Sequence, residues 1–424
     1  MSLIKKFVNS GISRRTFLKG MGASLAAGPL LAGLDGAALA ASSPGGKALL
    51  TPINYRTRLV LLGTMGGVSW WPRSDRASSS SALVVGDSIY LIDLGQGSTN
   101  RLVEAFGTGK FVRSPGGAMI EDGSTTFLTK LKALFFTHLH MDHTSDYPAF
   151  LLIGAGAGLG GVDGEPAGIS ALPVFGPCNR GSLEYSRTGQ PYQPVPTDSA
   201  TPAKITTTPG TKQMTSIIWQ AYAQAVNDLV LDDGYRDFTK LVDVKDIGTD
   251  IPVPFAIPCV DNNTCPVTPP FPVYQDGNVS VTATLVDHHQ VFPSFAFRFD
   301  TLDGSVVFSG DTGHNTNGNL QTLAQGADVL VHEVIDKAWV DQKFQNPGPE
   351  DQGYALYTHM LSSHTTIEDV GAVAAGCQVK TLVLNHIVPG NTPISHLRQA
   401  KRNFTGRLII GQDLMQIGIG RRGQ

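Results

Sequence analysis

The sequence contains few cysteines and few charged residues for its length. Only 4 of its 424 residues are cysteine, and none of the four has the spacing of a cysteine zinc site. Charged residues make up 16% of the chain and hydrophobic residues 41%, which excludes a disordered polypeptide and indicates a globular one. Beyond the N-terminus, no apolar run reaches the length that crosses a membrane.

The sequence also lacks an excess of positive charge. Its formal net charge is −3, and removal of residues 1–40 would take away more basic than acidic residues. A mildly acidic protein is a poor candidate for binding the phosphate backbone of a nucleic acid. We therefore expect no nucleic-acid partner.

Residues 1–40 are predicted to be a twin-arginine signal peptide. The run from Ser13 to Lys19 looks like a complete export signal, and Ala38 to Ala40 has the small residues of a cleavage site. Gly28-Pro29 interrupts the apolar stretch between them, so a permanent membrane span is not expected. An amphipathic anchor helix is the alternative. We expect use of the twin-arginine export machinery, a periplasmic or secreted protein, and no stable membrane association after cleavage.

The most informative segment holds four metal-binding side chains within six residues: His138, His140, Asp142 and His143. The apolar run from Leu131 to Thr137 precedes it and is predicted to be a buried strand. Alternate side chains of a strand share a face, so His138 and His140 can point the same way, with Asp142 and His143 aimed at a second position. Imidazole and carboxylate suit zinc, and also iron or manganese. A polar loop of solvated histidines is the alternative.

Three further candidate ligands lie later in the chain. His288, Asp311 and His386 each come at the end of a predicted strand that is followed by a turn. Functional residues concentrate on such loops, which a rigid scaffold holds in place. These residues argue against a merely polar loop at His138 to His143.

The whole set, HxHxDH followed by a histidine, an aspartate and a histidine, resembles the metallo-β-lactamase superfamily. It is most similar to the branch that contains ribonuclease Z and zinc arylsulfatases. The resemblance implies an α/β fold, a four-layer αββα sandwich with two metals at one edge. It covers residues 58–424, preceded by a linker at 41–57. We interpret residues from about 160 to 275 as an insertion, either a cap or dimer arm beside the cleft or a passive surface addition. A homodimer is implied by the resemblance alone.

Carried over position by position, the resemblance implies two Zn²⁺ ions, with iron or manganese as alternatives. The implied ligands are His138, His140 and His288 for one metal, Asp142, His143 and His386 for the other, and Asp311 as the bridge. His289 could replace His288. We prefer His288 because Val286-Asp287-His288 matches the family's pattern.

Asp142 and His364 are the expected catalytic residues. His364 matches the His-Ser-Thr motif of the ribonuclease Z branch, except that threonine replaces serine. The resemblance implies that His364 protonates the leaving group or stabilises its charged oxygen. The alternative is a structural histidine at the start of a helix. Glu333 is expected to orient a ligand or a catalytic histidine. Asp93 either supports the site through hydrogen bonds or is an ordinary turn residue.

The sequence thus predicts an exported dinuclear-zinc hydrolase in which a metal-bridging hydroxide attacks small sulfate or phosphate esters, as in an arylsulfatase. The nearest alternative is a lactonase or β-lactamase that opens cyclic acyl bonds. Alternatives of other classes are a di-iron redox protein, although the sequence contains no recognisable flavin module, and a non-catalytic metal-binding module. A small-molecule ester is the expected partner.

Two smaller features remain open in the sequence. An exposed Trp70-Trp71 pair beside the cleft would stack on an aryl or apolar substrate group, while the alternative is core packing. Cys259 and Cys265 are six positions apart in a loop rich in proline and asparagine. In an oxidising compartment they are predicted to form a small disulfide.

Overall fold

The computed structural model describes most of the chain after residue 51, with gaps: residues 52–107, 111–113, 116–117, 119–121, 126–161, 170–181, 208–259, 263–314 and 317–422. The predicted signal peptide and most of the predicted linker lie outside the described residues. In the described part, every helix is too short or too polar to cross a membrane.

Strands account for most of the described scaffold. In chain order they are β1 (Tyr55–Gly63), β2 (Ser80–Val85), β3 (Ser88–Ile92), β4 (Phe111–Arg113), β5 (Met119–Glu121), β6 (Leu131–Phe135), β7 (Leu172–Pro177), β8 (Val242–Ile247), β9 (Phe271–Gln275), β10 (Ser280–Leu285), β11 (Phe295–Thr301), β12 (Gly304–Phe308), β13 (Val329–Ile335), β14 (Thr381–Val388), β15 (Arg407–Ile410) and β16 (Gln416–Arg422).

Helices fill the connections between these strands. In chain order the α-helices are α1 (Ser98–Phe106), α2 (Met141–Thr144), α3 (Tyr147–Gly154), α4 (Thr211–Ala221), α5 (Ala223–Leu231), α6 (Asn319–Ala324), α7 (Lys337–Phe344), α8 (Tyr354–Ser363), α9 (Ile367–Gly376) and α10 (Ile394–Leu397).

The strands form two seven-stranded mixed sheets and one small β4–β5 pair. The first sheet has the order β16-β1-β2-β3-β6-β7-β8 and the second the order β15-β14-β13-β12-β11-β10-β9. In each sheet one half is antiparallel and the other half parallel. The change falls between β3 and β6 in the first sheet and between β12 and β13 in the second.

Alternating side chains of the strands bury both faces of each sheet. In β1, Leu59 and Leu61 point into a core between the two sheets, while Val60 and Leu62 point into a second core beneath the helices. A strand that is covered on both faces needs a continuous apolar run, which β1 has. A third core packs the second sheet against helices that include α6 and α9. The predicted four-layer αββα sandwich is confirmed.

The segment from about 160 to 275 contributes to both sheets. Its strands β7 and β8 extend the first sheet, and β9 is the edge strand of the second. Its helices α4 and α5 pack on the outer face of the first sheet, where Trp219 and Val226 join the core that contains Val242. Its described parts therefore belong to the sandwich and its outer helical layer.

Two local predictions are corrected by the structure. Cys259 and Cys265 are separate thiols and not a disulfide, and the Sγ of Cys265 lies 3.1 Å from the amide nitrogen of Asn317. His386 does not end its strand, because β14 continues to Val388. His386 sits inside it at a left-handed φ of 43°, where the pairing with β13 shifts register. This local irregularity turns its ring to the edge of the sandwich.

Candidate metal centre

The candidate site lies at one edge of the sandwich, where strands of both sheets end. Asp93 follows β3 and the HxHxDH segment follows β6 in the first sheet. His288 follows β10 and Asp311 follows β12 in the second sheet, and His386 joins them from β14. Because β3 and β6 run parallel, their carboxyl ends meet at the same edge, and the two sheets bring the two halves of the site together.

Two groups of metal-binding side chains meet at this edge and share one residue. Within each group, the atoms that could bind a metal all lie within 4.8 Å of one another. The first group consists of His138, His140, His288 and Asp311, and the second of Asp142, His143, His386 and Asp311. The structure thus brings together all seven residues named from the sequence, divided as expected. Metal binding by them stays a prediction.

Asp311 lies between the two groups. Its Oδ1 is 3.3 Å from Nε2 of His143, and its Oδ2 is 3.2 Å from Nε2 of His386. The same Oδ2 lies 3.7 Å from Nε2 of His138 and 3.8 Å from Nε2 of His288. Its carboxylate therefore faces ligand nitrogens of both groups, as a bridging ligand must.

Several of these buried atoms have no hydrogen-bond partner among the described residues. They include Nε2 of His138, Nε2 of His143 and Oδ1 of Asp311, and the three residues are at most 2% exposed. Buried polar atoms are nearly always paired, so unpaired nitrogens and carboxylate oxygens that face one another fit a bound cation. A nitrogen and oxygen donor set suits zinc, and also iron or manganese.

Hydrogen bonds on the far side of the rings orient two of the histidines. Nδ1 of His143 lies 2.8 Å from Oδ2 of Asp93, and Nδ1 of His288 donates to the carbonyl of Ser363 at 2.9 Å. Each bond holds a proton on Nδ1 and directs Nε2 at the candidate site. Asp93 is thus a supporting residue of the site and not an ordinary turn residue.

Two glycines that sequence reasoning did not single out shape the site. The backbone N–H of Gly67 donates to Oδ2 of Asp142 at 2.7 Å. Gly66 lies against His386 so closely that an added Cβ would be 2.3 Å from the ring. The glycine-rich turn after β1 was the available signal, since a backbone that approaches a side chain this closely needs residues without a Cβ.

Burial and the neighbouring charges decide the protonation of the group. Burial holds the pKa of His138 and of His288 well below the ordinary value. Burial acts to raise the pKa of Asp311, but His386 and His143 hold it well below the ordinary value. For His143, burial acts to lower the pKa, but Asp311 and Asp93 raise it well above the ordinary value. Neutral imidazole and ionised carboxylate bind metals, so binding at His143 would release a proton.

His364 lies beside the metal-binding groups, as expected. Its Nδ1 is 3.2 Å from Oε2 of Glu333 and 4.0 Å from Oδ2 of Asp311. Glu333 is fixed from its other side, because Oε1 accepts from the backbone N–H groups of Thr312 and Thr365. Burial acts to lower the pKa of His364, but the Glu333 carboxylate outweighs it and raises that pKa to about 9.

The remaining histidines near the motifs lie outside the two groups. His289, with a left-handed φ of 53°, turns away from its neighbour His288, and its ring is 5.7 Å from the ring of His359. This supports His288 as the ligand of the pair. His314 is exposed, and His396 pairs with Asp336 at 2.8 Å.

The two tryptophans of the first loop have different environments. Trp70 is 84% exposed. Trp71 packs edge-on against Trp339, with ring centroids 5.3 Å apart, and its Nε1 donates to the carbonyl of Gly66 at 2.9 Å. The packing alternative therefore describes Trp71, while Trp70 has the exposure that the stacking alternative requires, and stacking itself stays a prediction.

Comparison with known proteins places this site in context. No protein-family model matches the sequence. The chain is 26% identical to the ribonuclease Z of Mycobacterium bovis over 364 residues, which are 85% of this chain and 98% of the relative. It is 27% identical to the ribonuclease Z of Mycobacterium avium over 368 residues, with coverages of 85% and 98%. Human tRNase Z, short form, superposes with a TM-score of 0.51 at 16% identity, covering 86% of this chain and 100% of that one.

The protein has the fold of tRNase Z, which is the predicted metallo-β-lactamase sandwich: two mixed sheets packed face to face and flanked by helices. The predicted similarity to ribonuclease Z is confirmed along almost the whole length of these relatives. Together with the two ligand groups, the relatives support the coarser prediction of a metal-dependent hydrolase.

Two finer expectations are wrong. The relatives are named as ribonucleases, which contradicts an arylsulfatase-like action on small esters. The same names contradict the expectation of no nucleic-acid partner. Net charge was misleading because it averages over the whole surface. Contact with a phosphate depends on the local field of the cleft, to which bound divalent cations would contribute strongly.

Proposed function

We propose that the protein is a metal-dependent ribonuclease that hydrolyses a phosphodiester bond of RNA. The observation that carries the proposal is the sharing of Asp311 by two buried ligand groups, in a chain similar to ribonuclease Z over 98% of that protein's length. The names of the relatives support RNA as the substrate.

Two zinc ions are the proposed metals, and iron or manganese would suit the same donors. His138, His140 and His288 would hold one ion, Asp142, His143 and His386 the other, and Asp311 both. The unpaired, buried ligand atoms support this assignment. The chemistry that bound metals supply in such a site is polarisation of a phosphoryl oxygen and activation of water at neutral pH.

Asp142 is proposed to help orient the attacking water as a hydrogen-bond acceptor. Its Oδ2 accepts from the N–H of Gly67 and lies 3.1 Å from Nε2 of His386. Both contacts are made by Oδ2 of the carboxylate. Burial acts to raise the pKa of Asp142, but His143 and His386 hold it well below the ordinary value, so the carboxylate is ionised and can accept a hydrogen bond.

His364 is proposed to give its proton to the leaving oxygen. With Nδ1 directed at Glu333, the remaining ring nitrogen, Nε2, is the donor. Burial acts to lower the pKa of His364, but the Glu333 carboxylate outweighs burial and raises that pKa, which favours a protonated ring. Proton transfer by a positioned side chain typically contributes about 10²- to 10⁴-fold in rate.

The test is a substrate panel for the purified protein loaded with zinc. It comprises an RNA with a stem and an unpaired tail, DNA of the same sequence, bis(p-nitrophenyl) phosphate, p-nitrophenyl sulfate and a p-nitrophenyl acyl ester. We expect cleavage of the RNA that a chelator abolishes and zinc restores, and no turnover of the sulfate. A protein that binds two zinc ions and cleaves no RNA would contradict the proposal.

Matched variants connect the activity to the site. We expect Asp142→Asn to lower kcat on RNA by about 100-fold or more, since several kcal/mol of transition-state stabilisation depend on the metals. Asp87→Asn is the control, because its side chain is 94% exposed in the turn between β2 and β3. Equal losses in both variants would show that the effect is not specific to the site.

We also propose export through the twin-arginine pathway, which the run from Ser13 to Lys19 supports. Replacement of Arg14 and Arg15 by lysine should retain the protein in the cytoplasm with residues 1–40 uncleaved. Cell fractionation with N-terminal sequencing measures both effects. Cytoplasmic wild-type protein with an intact N-terminus would rule out export and would leave the nuclease proposal untouched.

A further inference from the structure

Exposed apolar side chains border the candidate metal centre. The N–H of Gly67 bonds to Asp142, and the residues next to these two, Val68 and Met141, are each 65% exposed. Trp70, at 84%, is more exposed still and lies in the same loop as Val68. Val68 and Met141 are each next in sequence to one partner of that hydrogen bond, so two separate segments each bring an exposed apolar residue to the border of the site.

The loop that carries Trp70 is anchored on both sides of it. Before it, Gly66 lies against His386 and Gly67 bonds to Asp142. After it, Trp71 donates to the carbonyl of Gly66 and packs edge-on against Trp339. The exposed indole of Trp70 is therefore held on a fixed backbone, which reduces the conformational entropy lost when a ligand stacks on it.

The backbone of Trp70 is also close to the candidate metal centre. Three peptide units separate it from Gly67 and can span at most about 11 Å. The Gly67 N–H is in direct contact with the proposed ligand Asp142, at 2.7 Å. A group that lies on Trp70 can therefore belong to the nucleotide beside the phosphate under attack.

A cation lies next to the aromatic cluster that supports the loop. Nζ of Lys343 is 5.0 Å from the ring centroid of Trp339, the ring against which Trp71 packs, and the Lys343 side chain is exposed. An aromatic platform with a nearby cation is the combination that binds unpaired nucleic acid, since a base stacks on the ring while the cation attracts the backbone.

We propose that Trp70 stacks on an unpaired base beside the scissile phosphodiester and so makes the protein select sites that are flanked by unpaired nucleotides. The inference rests on the proposed ribonuclease function. A base within a duplex already stacks on its neighbours and offers no face to a side chain, whereas an unpaired base does. Trp70 would thus be a specificity-determining residue.

The test combines protein variants with substrates that lack single bases. Wild type, Trp70→Ala and Trp70→Phe are compared on one RNA with an unpaired tail. They are then compared on versions in which an abasic ribose replaces, one position at a time, each base near the cleavage site. Leu302→Ala is the matched control, because Leu302 is 87% exposed in the turn between β11 and β12.

We expect Trp70→Ala to lower kcat/KM on the intact RNA by about 5- to 150-fold, the range that base–aromatic stacking typically contributes. The loss should appear mainly in KM. At one position, replacement of the base by an abasic ribose should lower kcat/KM of the wild type by a similar factor. The same replacement should not lower kcat/KM of Trp70→Ala any further. Trp70→Phe, which keeps a ring, should retain most of the wild-type value, and Leu302→Ala all of it.

Three results would overturn the inference. If the wild type cleaves RNA and Trp70→Ala is equally efficient, Trp70 makes no such contact, while the nuclease proposal stands. If removal of the base lowers kcat/KM equally in the wild type and in Trp70→Ala, the base is recognised by another part of the protein. If the wild type cleaves no RNA, the proposed function is wrong and the inference is wrong with it.

Discussion

The carboxylate of Asp93 lies 2.8 Å from Nδ1 of His143, while Nε2 of the same ring faces Asp311 at 3.3 Å. Asp93 has a left-handed φ of 58°, and its carboxylate also accepts from the N–H and hydroxyl of Thr137. A short turn after β3 therefore determines which nitrogen of His143 is presented to the candidate metal centre.

The first prediction concerns this contact. Asp93→Asn should weaken metal binding at the second ligand group by about 10- to 100-fold, because the amide holds the His143 tautomer less firmly than a carboxylate does. Competition with a chromogenic chelator measures the affinity, and Asp87→Asn is the exposed control. An unchanged affinity in Asp93→Asn would mean that the contact is not needed to prepare the ligand.

The second prediction concerns the His364–Glu333 pair. His364→Ala should lower kcat on RNA by about 10²- to 10⁴-fold with metal content intact, because a poor leaving group needs a proton. The loss should be smaller with bis(p-nitrophenyl) phosphate, whose leaving group departs without one. Glu333→Gln should act in the same direction, since it removes the charge that raises the pKa of His364.

His396→Ala is the matched control for His364→Ala, because His396 lies on α10 and pairs with Asp336. Steady-state kinetics and zinc analysis of the same preparations give the comparison. Equal losses on both substrates would argue against proton donation, and loss of zinc from His364→Ala would instead indicate a ligand.

The third prediction concerns Gly66. In Gly66→Ala the new Cβ would lie 2.3 Å from the ring of His386, a separation that the packing cannot accommodate without moving the ring. We expect loss of metal from the group that contains His386 and a matching loss of activity. Gly277→Ala is the control, since an added Cβ there meets nothing within 4 Å. Zinc content per chain is the decisive measurement, and full occupancy in Gly66→Ala would disprove the steric argument.

The fourth prediction concerns a carboxylate that links the two sheets. Oδ2 of Asp276 accepts from the hydroxyl of Tyr90 on β3 at 2.7 Å and from that of Tyr274 on β9 at 3.0 Å. Asp276→Ala should lower the free energy of unfolding by about 2 kcal/mol, because hydrogen bonds to a charged group are lost. Urea unfolding of both proteins measures the difference, with Asp87→Ala as the exposed control.

The difference in the free energy of unfolding between the wild type and Asp276→Ala should depend on pH. Burial acts to raise the pKa of Asp276, but the Tyr90 hydroxyl and the N–H of Asn278 hold it below the ordinary value. The folded state therefore binds the proton more weakly than the unfolded state. The contribution is fully present at neutral pH and is lost as the pH falls from about 4, the ordinary carboxyl value, through the lower folded pKa. A difference that grows on acidification would contradict this assignment.

Much of the candidate site could be predicted because its signals are local. His138, His140, Asp142 and His143 lie together on one loop after an apolar strand, so their nearness does not depend on the rest of the fold. His288, Asp311 and His386 were identified by their places at strand ends and by the family pattern. The αββα sandwich followed from the same resemblance, and apolar runs such as Leu59 to Leu62 agree with it.

The contacts that hold the site residues in place could not be predicted in the same way. The contact of Gly66 with His386 joins residues more than 300 positions apart, and it depends on the left-handed φ of 43° that turns His386 inside β14. The division of Trp70 and Trp71 into an exposed and a packed ring required Trp339, which no local pattern connects to them. Net charge misled the choice of substrate because it carries no information about where charges lie.

Sequence alone therefore determined which atoms are available for the chemistry, since residue type decides whether a side chain can bind a metal or carry a proton. Tertiary structure decided which nitrogen of His143 faces Asp311, how Glu333 raises the pKa of His364, and that Trp70 remains exposed beside the centre. The physical reason is that tautomers, pKa values and exposure depend on neighbours within a few ångströms. In this protein those neighbours come from distant strands of two sheets.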